Sequence, residues 1–398
     1  MSHRGFHNVF DRTDIRPLEN TLPAFEQAWT SGISLCECDV ALTKDGKVLL
    51  AHDENFARLA LMGGCDSSVK NVSDLTFKQI LALHLKNGSR PPLLAEVLRS
   101  ASAIGDHAKL IIEIKPGNDE MCLPLITLFA RNPSYLNCVH AIMCFDSYIM
   151  KEISIQMDNL ATRLKLKLGD QLFLKEKRNQ HYAPNQITTA GTNGTITKSK
   201  SMLSKSLVNL VSIEIEESKT ITPSVSTSNN LQQHQHNKFP SKQNLITSIS
   251  SKNLLSSISS NNLLLSLIDI ETTNMNNNHP KSASSGNVFV INMPKLLLLT
   301  VNEPSTESYE FCVNVKDFSI VDSWMNESML DGVYIEYESD MLTLNGIDAM
   351  RNLSDKYDVG VWMRAEKHPD KLSNCRSLMY DCNVSYINTD FPPDFYYD

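Results

Sequence analysis

The chain has 398 residues, of which 41% are apolar, and a formal net charge of −8. This length and composition predict a globular protein with one large domain or two ordinary ones. The acidic balance excludes a general attraction to nucleic acid, and no apolar run approaches the roughly 18 residues that a membrane-spanning helix needs. The polar opening, Ser2-His3-Arg4-Gly5, also predicts that no signal peptide is present.

The nine cysteines form an odd-numbered set at scattered spacings, several of them inside apolar runs. Reduced thiols in a cytoplasmic protein explain this pattern better than a disulfide framework. Cys36 and Cys38 have the spacing of a metal-binding pair, but no second pair lies at zinc spacing. The sequence therefore favours buried thiols over a thiolate metal site.

The first part of the chain alternates short apolar runs with helical patterns. Asn20 is expected to cap a helix that ends at Gly32. Asp45-Gly46 predicts a tight turn whose second arm delivers His52. The other predicted strands here cover 35–40, 109–115 and 139–145, and the other helices cover 93–103 and 148–156.

A change of composition separates the two halves of the chain. Residues 175–292 are dominated by Ser, Asn, Thr, Gln and Lys. Such a segment cannot bury enough apolar surface to offset chain entropy, so it is predicted to be a disordered, low-complexity insertion in a surface loop. Leucine and isoleucine clusters within 256–270 leave open weak docking to a membrane or a protein.

Strand and helix patterns resume after the insertion and predict a TIM barrel. With the short segment 2–5 included, there are eight strand-like runs, as in a closed (β/α)8 barrel. This barrel would be one domain built from 1–174 and 293–398. The alternating Arg163–Leu168 segment is an alternative to 295–301 as the fifth strand. The first strand is unusually short. Either upstream residues are missing or the barrel closes on a stub. The predicted strands are 2–5, 35–40, 109–115, 139–145, 295–301, 332–337, 359–363 and 384–388.

Acids occur at the ends of two predicted strands, where barrels carry their active sites. Glu37 and Asp39 are two residues apart and therefore share one strand face, whereas Cys36 and Cys38 face the surrounding helices. Glu113 ends the next barrel strand. Three converging carboxylates repel one another unless a divalent cation neutralises them, and oxygen ligands favour Mg²⁺ or Ca²⁺.

The alternative is that each of these acids pairs with an arginine or a lysine. That explanation is favoured for any single pair, but not for all three acids at once. A cation beside His3 and His52 suits attack on a phosphate ester, with Arg4 or Lys115 stabilising charge on the phosphate oxygens. One histidine would remove the nucleophile's proton and the other would protonate the leaving alkoxide. The remaining histidines considered, His7, His84, His107 and His140, are interpreted as structural or solvated.

Taken in order, these motifs resemble the glycerophosphodiester phosphodiesterase family. The resemblance covers residues 2–160 and about 294–393 and skips the insertion. Together the motifs are highly specific, although each alone is weak. The matching segments are His3-Arg4-Gly5, Glu19-Asn20-Thr21, Glu37-Cys38-Asp39-Val40, Thr43-Lys44-Asp45-Gly46, His52-Asp53, Glu113-Ile114-Lys115-Pro116, Val361-Trp362 and Ile387-Asn388-Thr389-Asp390-Phe391-Pro392.

The resemblance implies hydrolysis of glycerophosphodiesters to glycerol 3-phosphate and an alcohol, with one divalent cation, Mg²⁺ or Ca²⁺. It implies that His3 and His52 are the acid/base pair and that Trp362 lines a glycerol pocket. Glu19 would organise the site. Lysophospholipid or phosphoinositide cleavage on the same barrel, and a catalytically weak regulatory relative, are the alternatives. The implied cation ligands are Glu37, Asp39 and Glu113, and the implied phosphate-binding residues are Arg4 and Lys115.

Overall fold

The computed structural model describes residues 1–7, 17–61, 66–168, 173–174, 291–302, 311–312, 318–363 and 372–390. These residues all belong to one structural unit, which comprises Met1–His181 and Leu255–Asp398. The predicted disordered insertion, 175–292, and its predicted docking segment lie outside the described residues except for Ile291 and Asn292, which form a short strand.

Strands and helices alternate along the described chain. The strands are β1 (Leu35–Leu42), β2 (Val48–Leu50), β3 (Lys109–Ile114), β4 (Val139–Cys144), β5 (Phe173–Leu174), β6 (Ile291–Asn292), β7 (Lys295–Val301), β8 (Phe311–Cys312), β9 (Gly332–Glu336), β10 (Asp358–Trp362) and β11 (Tyr386–Ile387). The α-helices are α1 (Leu22–Thr30), α2 (Phe77–Ile80), α3 (Leu94–Ile104), α4 (Cys122–Arg131), α5 (Ser147–Leu168), α6 (Ser319–Ser328), α7 (Leu344–Ser354) and α8 (Leu372–Tyr380).

Seven parallel strands form a curled sheet in the order β1, β3, β4, β7, β9, β10 and β11. Ser2 takes the place of the eighth barrel strand, because it forms parallel bridges to both Cys36 and Thr389. Its amide donates to Leu35 O at 3.0 Å, and its carbonyl accepts from the Glu37 amide at 2.8 Å. The expected (β/α)8 TIM barrel is therefore confirmed, whereas the predicted first strand, 2–5, is reduced to the bridge at Ser2 because a turn begins at His3.

The fifth strand is β7, which pairs with β4 on one side and β9 on the other. The alternative segment, Arg163–Leu168, forms the last turns of α5 and is wrong as a strand. Helical spacing prevails over the local alternation because Met157, Leu160 and Leu164 are buried three and four residues apart. Within the described ranges, no helix has the length and apolar character to cross a bilayer.

The two faces of each barrel strand enter different cores. Cys36 and Cys38 pack in the outer core between strands and helices, as the spacing predicted. The barrel interior is filled by a second cluster that includes Met143, Leu297 and Tyr334. Tyr334 lies so close to Gly360 that an added β-carbon would fall 1.9 Å from its ring. The inner faces thus carry a solid core beneath the carboxyl-terminal rim.

The predicted hairpin joins β1 to β2 and carries the chain to His52. The strands pair antiparallel, from Val40 with Leu50 to Leu42 with Val48. Gly46 has φ +69°, a left-handed conformation that glycine adopts without steric cost. Because β1 belongs to the barrel, this hairpin fixes the start of the His52 segment relative to the rim.

Candidate active site

Three buried carboxylates meet inside the rim. Glu37 and Asp39 lie on β1, and Glu113 lies on the neighbouring β3, opposite Asp39 in the parallel register. One carboxylate oxygen from each lies within 4.8 Å of the other two. The residues that the sequence predicts as cation ligands are therefore brought together.

Two of the three acids have basic partners. Arg4 Nε lies 3.1 Å from Asp39 Oδ2, an ion pair without hydrogen-bond alignment. Lys115 Nζ donates to Glu113 Oε1 at 2.7 Å and lies 3.4 Å from Asp39 Oδ1. Burial acts to raise the pKa of Asp39, but the charges of Arg4 and Lys115 outweigh it and hold that pKa below its ordinary value.

Among the described residues, no lysine or arginine side chain lies within ion-pair distance of Glu37, and its contact of this kind is with His3 at 3.8 Å. Glu37 is fully buried, its Oε2 accepts from the Arg4 amide at 3.1 Å, and its Oε1 has no hydrogen-bond partner among the described residues. Burial raises the pKa of Glu37 well above its ordinary value, and the neighbouring charges of Asp39 and Glu113 raise it further. A hard cation would satisfy this oxygen and favour the ionised form, so the donor set fits Mg²⁺ or Ca²⁺. Pairing with basic residues explains Asp39 and Glu113 but not Glu37.

His3 stands beside this cluster. Its Nδ1 lies 2.7 Å from Asp390 Oδ1, just beyond β11, and its Nε2 lies 3.8 Å from Glu37 Oε2. Burial acts to raise the pKa of Asp390, but the contact with His3 holds it below its ordinary value. An ionised carboxylate at this distance accepts from Nδ1–H, which leaves Nε2 as the ring nitrogen for proton transfer.

The backbone after His3 explains why Arg4 and Gly5 follow it. Arg4 has φ +52°, a left-handed conformation that is uncommon for residues other than glycine. This turn directs the Arg4 amide to Glu37. Gly5 has φ +81°, and an added β-carbon would lie 2.9 Å from Ala24 on α1. The motif is therefore a sharp turn held against a helix, with its strain located at the site.

His52 has a similar carboxylate partner. Its Nδ1 lies 2.7 Å from Asp53 Oδ1. Arg58 Nε donates to Asp53 Oδ2 at 2.7 Å, and its two terminal nitrogens donate to Glu19 at 2.8 and 2.6 Å. Glu19 Oε1 also accepts from Arg4 at 3.0 Å. Glu19 thus contacts both arginines and lies outside the group of three carboxylates, and its role in organising the site stays a prediction.

Asn20 corrects one expectation from the sequence. The residue that precedes α1 is Thr21, and neither the Thr21 nor the Asn20 side chain caps the helix. Asn20 instead has φ +51°, donates through Nδ2 to Asp39 Oδ2 at 2.7 Å, and accepts from the Asp39 amide at 3.2 Å. The helix-cap prediction was wrong because the side chain is turned toward the barrel.

Trp362 ends β10 on the same rim. Its Nε1 donates to Thr300 O at 3.0 Å, and its ring meets Phe145 edge-on with centroids 5.8 Å apart. A cavity of about 170 Å³ adjoins His3, and Trp362 is not part of its lining. Its lining is mostly polar and consists of His3, Arg4, His7, Leu18, Glu19, Arg58, Leu59 and Asp390.

Asp390, Asp53 and Arg58 were not predicted as functional residues. Asp390 and Asp53 lie within the matching motifs, where their positions after a strand end and after a histidine were the signal in the sequence. Arg58 had no such signal, because only the fold brings it to Glu19. His7 agrees with its structural interpretation, since it is buried and its Nδ1 lies 3.0 Å from Gly5 O.

A closed parallel barrel with acids and histidines at its carboxyl-terminal rim defines a TIM-barrel protein with an enzyme-type site. Residues 3–266, more than half of the chain, match the profile of the glycerophosphoryl diester phosphodiesterase family. The chain belongs to this family.

Similar proteins agree with that membership. A glycerophosphodiester phosphodiesterase of Bacillus altitudinis is 34% identical over 132 residues, which are 30% of this chain and 49% of that protein. Human lysophospholipase D GDPD1 is 29% identical over 139 residues, which are 33% of this chain and 40% of that protein. The aligned part of this chain thus spans half or less of these relatives. A crystal structure from Galdieria sulphuraria, described as a glycerophosphodiester phosphodiesterase, has a TM-score of 0.51 at 12% identity and covers 99% of this chain and 94% of its own. This likeness shows the fold.

Proposed function

We propose that the protein is a phosphoric diester hydrolase that converts glycerophosphodiesters to glycerol 3-phosphate and an alcohol with the help of one divalent cation. Family membership supports the reaction class. The observation that carries the cation requirement is the buried Glu37, whose Oε1 lacks a partner among the described residues inside a group of three carboxylates. Glu37, Asp39 and Glu113 would hold the cation.

The bound cation would supply positive charge against the phosphate oxygens. Arg4 and Lys115 already lie against the same carboxylates, so they would bind the phosphate from beside them. His3 and His52 each have Nδ1 next to a carboxylate, an arrangement that leaves Nε2 to accept or release a proton. One would deprotonate the nucleophile and the other would protonate the leaving alkoxide, each contributing a factor of about 10²–10⁴ in rate.

Trp362 and the cavity beside His3 are the features of the site that favour a small, polar substrate. Trp362 lies on the rim with its indole held by Thr300, and would line the glycerol pocket. The cavity of about 170 Å³ beside His3 gives a polar group room next to a proposed acid/base residue. Such a volume suits a headgroup or a glycerol unit and is below the usual 300–1,000 Å³ of drug-sized ligand sites.

Hydrolysis of a panel of glycerophosphodiesters, with Mg²⁺ and Ca²⁺ in turn, tests the proposal. We expect release of glycerol 3-phosphate that requires a cation, and loss of both cation binding and activity in Glu37→Gln. Glu96→Gln, which removes an acid from α3, is the matched control and should retain both. Cation-independent turnover, or full activity in Glu37→Gln, would contradict the proposed role of the carboxylates.

Lysophospholipid cleavage is the second candidate, favoured by the similarity to human lysophospholipase D GDPD1. The same rim chemistry would act on a phosphodiester whose glycerol carries an acyl chain. Soluble glycerophosphocholine and micellar lysophosphatidylcholine, compared at equal concentration, separate the two. Preference for the micellar substrate would replace the first candidate by the second, whereas preference for the soluble one would exclude this alternative.

We also propose that the barrel is one domain built from 1–174 and 293–398, with 175–292 as an insertion. The pairing of β5 with β6 supports this division, because it joins the residues just before the segment to the last two residues of the segment itself. The proposed location is the cytoplasm. Seven cysteines of the described residues are buried among apolar side chains, in keeping with reduced thiols in a reducing compartment. Limited proteolysis with retained activity would test the division.

A further inference from the structure

Arg58 makes contacts that the proposed chemistry does not use. Its guanidinium donates from Nε to Asp53 and from NH1 and NH2 to the two oxygens of Glu19. Asp53 in turn contacts the ring of His52. One planar side chain therefore connects the segment that carries His52 to the segment that carries Glu19 and the turn after His3.

The geometry of this connection is restrictive. A guanidinium presents its donors in a fixed fork, so contacts on two sides determine both its position and its plane. Asp53 then has one oxygen held by Arg58 and the other directed at His52 Nδ1. The hydrogen bond with His52 lowers the pKa of Asp53, and burial acts to raise it. The hydrogen bond and charge of Arg58 also lower it, so that the pKa stays below its ordinary value. An ionised Asp53 fixes the His52 tautomer with the proton on Nδ1.

We infer that Arg58 is a positioning residue, which sets the orientation and tautomer of His52 through Asp53 and anchors that pair to Glu19. The inference rests on the proposed function for its kinetic consequence but not for its structural one. Arg58 also borders the cavity beside His3, and the inference assigns it no contact with the phosphate. Direct binding of the phosphate by Arg58 is disfavoured, because three of its five N–H donors already point at carboxylates on two sides.

The kinetic test compares Arg58→Ala, Arg58→Lys and a matched control. We expect Arg58→Ala to lower kcat roughly 10–100-fold with little change in KM, the usual scale for residues that orient catalytic groups. Arg58→Lys should recover little, because an ammonium cannot reproduce the fork. Arg90→Ala is the control, since Arg90 makes a comparable two-pronged pair with Glu96 outside the site. A rise in KM with unchanged kcat would overturn the inference in favour of phosphate binding.

A double-mutant cycle tests whether Arg58 acts through Asp53. We expect Asp53→Asn combined with Arg58→Ala to cost no more activity than Asp53→Asn alone, because the second change removes a group whose effect is already lost. Multiplicative losses would contradict this route. Urea unfolding of each variant identifies any loss caused by a smaller folded fraction.

A measurement without turnover separates this inference from the proposed function. The ring ¹⁵N chemical shifts of His52, assigned with His52→Gln, report which nitrogen carries the proton. We expect the Nδ1–H form in the wild type and in Arg90→Ala, and a mixture of tautomers in Arg58→Ala. Unchanged shifts in Arg58→Ala would overturn the positioning role. A wild type that hydrolyses no substrate with either cation would contradict the proposed function alone.

Discussion

The Nδ1 atom of His3 lies 2.7 Å from Oδ1 of Asp390, across 387 positions of sequence. This contact forms where the barrel closes. The His3 amide donates to Thr389 O at 3.0 Å, next to the bridges that Ser2 forms with Cys36 and Thr389. Barrel closure and the orientation of His3 therefore depend on the same few backbone contacts.

Replacing the carboxylate partner of His3 should impair catalysis more than folding. We expect Asp390→Asn to lower kcat roughly 10–100-fold, because an amide can donate to Nδ1 and favour the wrong tautomer. Steady-state kinetics on glycerophosphocholine measure the loss. Asp322→Asn, which removes a partly exposed carboxylate that contacts Lys356 and Tyr357, is the control and should keep wild-type kcat. Equal kcat in Asp390→Asn and wild type would exclude the orienting role.

Asn20 supports Asp39 at a cost in backbone conformation. We expect Asn20→Ala to lower the free energy of unfolding by about 1.5–3 kcal/mol beyond the conformational cost, since a buried hydrogen bond to a charged group is lost. Asn383→Ala is the matched control, because Asn383 has φ +56° but is exposed. That control should cost about 1 kcal/mol. Urea unfolding measures both, and equal losses would show that the bond to Asp39 contributes nothing.

The rim acids could be predicted because strand periodicity fixes which side chains share a face. Glu37 and Asp39 are two residues apart, and a parallel register brings the next strand's Glu113 opposite Asp39. The eight-strand count needed only the alternation of apolar runs and helices. The local sequence pattern agrees with the fold at these positions, so they could be predicted without knowledge of contacts between distant parts of the chain.

The residues that hold the site in place could not be predicted in the same way. Asn20 has the sequence position of a helix cap, and only the nearby Asp39 shows why its side chain turns away. Arg58 reaches Glu19 across 39 positions, and Asp390 meets His3 through closure of the barrel. Such contacts depend on how loops pack over the rim, which no single-residue spacing encodes.

Ser2 is a sensitive position for stability, because it bridges the strands on both sides of the barrel closure. Ser2→Pro removes the amide that donates to Leu35, and we expect it to lower the free energy of unfolding by about 1–3 kcal/mol. Ser2→Ala is the control. The Ser2 Oγ is buried and has no hydrogen-bond partner among the described residues, so its loss should be neutral or stabilising. Chemical denaturation tests the pair, and equal stability of both variants would contradict the role of the Ser2 amide in closure.

Glu19 should make the stability of the barrel dependent on acid pH. Burial acts to raise its pKa, but hydrogen bonds from Arg58 and the charge of Arg4 lower it from 4.5 to about 2. A depressed folded-state pKa adds stability that is present above pH 4.5 and is lost as pH falls toward 2. At 1.36 kcal/mol per pKa unit, the contribution is of the order of 3 kcal/mol at neutral pH.

Glu19→Gln should therefore be less stable than the wild type at pH 7, and the difference should shrink as pH falls from 4.5 toward 2. Urea unfolding at pH 7, 4 and 3 measures this convergence. Glu327→Gln removes an exposed carboxylate from α6 and should run parallel to the wild type over the same range. A constant difference between Glu19→Gln and wild type at all three pH values would show that Glu19 stabilises the protein without depending on its charge.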